Sequence, residues 1–195
     1  MRVPAQPGGR FAALAGAILV VCAVFAWAVA PRAQAGPNCA VNDTTDAEEQ
    51  AFLTLINDYR QQNGQQPLTL SAGLTNASAW KSQDMVANNY FAHDDVYVPR
   101  SWDQRIRDCG YDYNTWIGEN IAAGNDTAAD TFEQWRNSPG HNANMLSSNY
   151  SAIGIARAFG SGAAYGWYWT TDFGGFSDGA PAAPTLTPTP SPSLT

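Results

Sequence analysis

AIGIARAFGSGAAYGWYWTTDF, residues 152–173, is the stretch on which the fold turns. Ile153, Ile155, Arg157 and Phe159 alternate with Ala and Gly at its start, and Tyr165, Trp167, Trp169, Thr171 and Phe173 share one face at its end. A side-chain period of two marks a strand, so the two runs joined by GSGAA predict an antiparallel hairpin. Core packing is the expected use of its aromatic residues, with Trp167 and Trp169 facing one way and Tyr168 the other.

Upstream the period changes to that of a helix. DAEEQAFLTLINDYRQQNG (46–64) places acids in its first turn and Phe52, Leu55, Ile56 and Tyr59 on one stripe, with Gly64 as the stop. A second helix is expected from about Ser71 to Tyr90, with Leu74, Ala77 and Met85 inward and Lys81 interrupting the stripe. SWDQRIRDCG (101–110) predicts a short helix ended by Gly110. The segment after Gly124 predicts another, capped by Asp126 or Thr127 and burying Ala128, Phe132 and Trp135. Helices first and strands later, without βαβ alternation, predict an α+β domain with helices packed on an antiparallel sheet.

The two ends differ in character from this middle. Arg2 and Arg10 precede the uncharged run 11–30, and Ala33-Gln34-Ala35 follows as a small-x-small triplet, so residues 1–35 read as an export signal, with a retained anchor as the alternative. Residues 36–49 form an N-terminal arm, 50–176 the domain, and 177–195 a Pro-, Ser- and Thr-rich tail expected to be disordered. The expected location is therefore secreted or at the cell surface, with membrane contact only if the N-terminal segment stays.

Beyond residue 35 the ten Lys and Arg fall to seven against all 17 acids, a net charge of −10. That balance argues against nucleic acid and against anionic membrane surfaces as partners. The export signal takes Cys22 and leaves Cys39 and Cys109, most simply a disulfide in an oxidising compartment, the alternative being two separate thiols.

Three places offer chemistry: FAHDD around His93, IGENIAAG around Glu119 and SPGHNAN around His141. Two imidazoles and one carboxylate are a usual set for an open zinc site, provided that the fold brings them together. Ser138 as N-cap and Pro139 as first helical residue put His141 at the third position, where the helix dipole favours a neutral ring. Turn closure by His93, backbone bonding by Glu119 and a solvent-facing His141 are the plainer alternatives. No HExxH pattern is present.

LINDYRQQNGQQPLTLSAGL (55–74), MVANNYFAHD (85–94), RIRDCGY (105–111), IGENIAAG (117–124), WRNSPGHNANML (135–146), IGIA (153–156) and YWTTDFG (168–174) together resemble the SCP-like, or CAP, superfamily in its bacterial form. The resemblance implies an α-β-α sandwich, an antiparallel sheet between helix layers with a central cleft. By motif, His93 corresponds to the first family histidine and Glu119 to the GEN glutamate. Ser138 and Tyr168-Trp169-Thr170-Thr171 stand where other members carry a second glutamate and a second histidine, and Glu133 lies at the wrong offset. His93, Glu119 and His141 are therefore the candidate cleft set, for zinc or another divalent cation. The expected function is a monomeric extracellular binding module for a lipid, peptide or cell-envelope component. The alternatives are a metal-dependent hydrolase with Glu119 as base and a lipid or sterol binder.

Overall fold

The computed structural model describes Cys39 and residues 45–179. The proposed export signal and the tail beyond 179 lie outside them.

Helix α1 (Ala47–Gln62) begins where Asp46 accepts from the Glu48 and Glu49 amides while the Glu49 carboxylate accepts from the Asp46 amide at 2.7 Å, a reciprocal cap. Its Phe52 and Ile56 are fully buried. A two-residue strand, β1 (Thr69–Leu70), leads to Ser71, whose hydroxyl accepts from the Leu74 amide and opens α2 (Ala72–Asn88). Asn89 ends α2 in the left-handed region at φ 52°. Then follow α3 (Trp102–Asp108), β2 (Ile117–Ala123), α4 (Ala128–Arg136, capped by Thr127), α5 (Pro139–Leu146), β3 (Ala152–Phe159) and β4 (Trp167–Gly174).

The sheet order is β1-β3-β4-β2. β3 and β4 form the expected hairpin, in register from Ala152↔Gly174 to Phe159↔Trp167, and β2 pairs antiparallel with the far side of β4. The sheet is not wholly antiparallel, however, because β1 runs parallel to β3 through Thr69↔Ala152 and Leu70↔Ile153. The long passage through four helices and β2 between these strands is what permits a parallel neighbour.

Period-two alternation sorts the sheet residues between two helix layers. Ile153, Ile155, Trp169 and Phe173 join Phe52, Ile56, Phe132, Trp135 and Met145 in one core beneath α1, α4 and α5. Tyr168, Ile121 and Met85, and separately Ala152, Leu74, Ala77 and Ile106, pack on the side of α2 and α3. This is the α-β-α sandwich, with both sheet faces covered. At Gly154 the sheet touches α2 so closely that a Cβ would lie 2.0 Å from the Leu74 carbonyl carbon.

Cys39 and Cys109 are joined, 70 residues apart in sequence, and both are buried. Closing a loop of that length stabilises the fold by roughly 4 kcal/mol through the unfolded chain. After β4 the chain folds back over β1. The Thr69 and Ser177 hydroxyls lie 2.6 Å apart, and the Ser71 hydroxyl donates to Asp178 at 3.0 Å.

Candidate functional site

Strand β2 is an edge of the sheet and the spine of the site. The Gly124 amide donates to the Trp167 carbonyl and the Gly175 amide to the Trp116 carbonyl, so the even-numbered residues of β2 pair with β4 and the odd-numbered ones face away. Three of the outward carbonyls have a side-chain donor: Tyr150 Oη on Ile117, Asn144 Nδ2 on Glu119 and Trp135 Nε1 on Ile121, all at 3.2 Å. Gly118 makes room for the first of these, since a Cβ there would lie 2.3 Å from the Tyr150 oxygen.

Across this edge runs an open cleft of about 310 Å³ lined by His93, Trp102, Ile117, Gly118, Glu119, Asn144 and Tyr150. His93, on the loop between α2 and α3, approaches Glu119 with Nδ1 2.7 Å from Oε1. The imidazole is 49% exposed, whereas the carboxylate is 1% exposed. The other carboxylate oxygen is taken by Arg105 of α3, which also donates to the His93 carbonyl at 3.1 Å and pairs with Asp95. A carboxylate already held by a guanidinium is an acceptor, so His93 Nδ1 carries the hydrogen of this bond, and in the neutral form of the ring Nε2 is the nitrogen left to accept.

Behind this pair lies a buried ionic chain. Asp95 receives Arg105, Lys81 Nζ at 3.3 Å and Arg100 Nε at 2.8 Å, and Arg100 reaches on to Asp108 and to within 3.9 Å of Cys39 Sγ. Lys81, which breaks the sequence stripe of α2, therefore points inward to a charge. Burial pushes its pKa down, Arg105 adds to the drop, and Asp95 and Glu119 oppose it. For Arg105 burial also opposes the charge, yet Glu119, Asp172 and Asp95 outweigh it and the pKa is raised. Asp172, opposite Glu119 on β4, is fully enclosed. Its carboxyl is pushed well above the usual value by burial and by Glu119.

Of the three residues singled out in the sequence, His93 and Glu119 meet directly. His141 stands on α5, with its ring 5.9 Å from that of Trp135 and its carbonyl accepting from Asn120 at 3.1 Å. Its Nδ1 is buried without a hydrogen-bond partner among the described residues. Burial lowers the pKa of its ring, and the proximity of the His93 imidazole adds to the drop. Both Glu119 oxygens are committed. Among the described residues no three His, Cys, Asp or Glu side chains are grouped to hold a metal ion.

Arg105, Asp95, Lys81, Asp172, Asn144 and Trp102 complete the site, and none of them was a site candidate in the sequence. The available signal was a lysine and an arginine on the inward stripes of α2 and α3, which require buried partners. Two further depressions, about 280 and 650 Å³, lie between α1 and α4 and carry no imidazole.

Residues 53–173, more than half of the chain, match the model of the cysteine-rich secretory protein family, CAP. YkwD of Bacillus subtilis (strain 168), an uncharacterized protein, is 36% identical over 112 residues, which are 57% of this chain and 43% of YkwD. The uncharacterized membrane protein YlbC of the same organism is 31% identical over 107 residues, 55% of this chain and 30% of YlbC. The chain thus spans less than half the length of the curated relatives it matches. An extracellular protein from Bacillus anthracis containing an SCP domain has a similar structure, with TM-score 0.56 and 26% identity over 65% of this chain and 39% of that one. An outer surface protein of Borrelia burgdorferi shares the fold, with TM-score 0.60 and 18% identity over 68% of this chain and 95% of that one.

Proposed function

Because the chain belongs to the cysteine-rich secretory protein (CAP) family, we propose that it is a secreted binding module whose ligand enters the cleft over β2 and is recognised by His93. The observation that carries this reading is the Arg105–Glu119–His93 chain, which holds a half-exposed imidazole through its Nδ1 in the lining of the cleft. The export-type N-terminus and the extracellular and outer-surface descriptions of the similar structures support action outside the cytoplasm.

The donor set fits a divalent ion poorly. A dication at Glu119 would displace His93 or Arg105, and it would then sit beside a guanidinium buried at 0% exposure. In this arrangement the carboxylate serves as the orienting partner of the histidine, and recognition requires no metal.

A hydrolase would find an oriented base in His93, but among the described residues no serine, threonine or cysteine lines the cleft, and the Tyr150 hydroxyl is spent on the Ile117 carbonyl. A long acyl chain would leave His93 and Asn144 facing apolar atoms without partners, which disfavours a lipid carrier. The test is a fragment screen by NMR on isotope-labelled protein. The expected result is that hits of any class shift the His93 and Trp102 ring signals first, and that His93→Ala abolishes them while the folded spectrum is kept. Hits confined to other surfaces, or indifferent to His93→Ala, would end the reading.

A further inference from the structure

We infer that the cleft takes an uncharged glycan, an inference that rests on the binding reading above and gives it a ligand class. Two side-chain atoms of the lining are acceptors, beside the indole N–H donor of Trp102. Nε2 of the neutral His93 ring is one. Asn144 Oδ1 is the other, because its Nδ2 is spent on the Glu119 carbonyl at 3.2 Å and on Asn120 Oδ1 at 2.8 Å. A ligand that satisfies two acceptors side by side is rich in O–H or N–H donors, as a sugar is.

The apolar part of the lining has the complementary shape. Trp102, Ile117 and Tyr150 offer ring and side-chain surface against which the C–H face of a pyranose stacks while its hydroxyls point to the polar rim. Trp116, one residue before the lining Ile117, is 66% exposed and supplies a further indole at this end of β2. The cleft volume of about 310 Å³ suits a ligand of one or two rings.

The other classes fit less well. An extended peptide adding to β2 would need the strand's outward carbonyls, and those of Ile117, Glu119 and Ile121 are already capped by Tyr150, Asn144 and Trp135. A polyanionic glycan would meet acceptors in the cleft and, beyond residue 35, a chain whose seven Lys and Arg face 17 acids. Uncharged sugars avoid both conflicts.

The experiment is titration of the labelled chain with chitotriose and with cellotriose, followed at the His93 ring and the Trp102 indole. A heparin-derived oligosaccharide, a decapeptide and lauric acid serve as parallel probes. The expected outcome is a saturable shift at both residues with at least one uncharged sugar, weakened about tenfold by Trp102→Leu, which keeps an apolar side chain there. The inference is overturned if neither sugar moves these signals in folded protein, or if the shifts map elsewhere. If the peptide or the fatty acid shifts them instead, the glycan assignment falls while the cleft stands as the binding site. If no probe or fragment does, both fall.

Discussion

Asp172 accepts from the Ser78 hydroxyl at 2.9 Å through one oxygen, while the other is buried without a partner among the described residues. Its pKa in the fold lies well above 3.8 because burial and Glu119 both resist its charge. Between those two values the folded chain holds a proton that the unfolded chain has released. Stability therefore falls as pH rises from about 4, and the cost is fully present above the folded pKa. Asp172→Asn keeps the acceptor for Ser78 and has no charge to suppress. It is expected to be more stable than the parent at pH 7 by roughly 1–3 kcal/mol, with the difference closing near pH 4, as read from urea unfolding at both pH values. Equal stability at pH 7 would mean that Arg105 fully compensates an ionised Asp172. His141 acts from the other side. Its lowered pKa means that the unfolded chain takes up a proton first as pH falls through 6.5, so acid costs stability there. Neither effect was visible in the sequence, where Asp172 was one letter in a strand motif and its neighbours were set only by register.

Among the elements, β3 and α2 meet at the tightest point of the sandwich. The atoms a Gly154 side chain would strike are backbone atoms of Leu74 and Thr75, which no rotamer change can move. Gly154→Ala must therefore shift the helix or the strand. A loss of about 3 kcal/mol is expected, seen as a lower urea midpoint with an unchanged slope. A cost near zero would show that α2 slides freely over the sheet. The elements themselves differed in how plainly the sequence announced them. α1 and the β3–β4 hairpin were legible because each buries one stripe or one face and repeats it without interruption. β2 was not, because adjacent Glu119 and Asn120 are both buried, one toward Arg105 and one toward α5, and this hides the strand period. β1 is two residues long and has no period to read. Lys81 looked like a fault in the α2 stripe and became intelligible only with Asp95 beneath it.

For the molecule as a whole, the motif order carried the sandwich and the location of the cleft, while the ionic chain that sets His93 had to be read from coordinates. The covalent bond between Cys39 and Cys109 also governs how the protein bears load. If the N-terminal segment holds it to a surface and something pulls beyond residue 179, tension enters at Cys39 and passes directly to Cys109. The stretch between them, residues 40–108, is bypassed, including α1, α2, α3 and His93. Pulled between residue 36 and residue 179 in optical tweezers, the reduced chain should lengthen on rupture by about 240 Å more than the oxidised one. Under oxidising conditions most of the His93 loop and its charges thus lie off the force path, and the mechanical fuse of the domain is its second half, from Gly110 to β4.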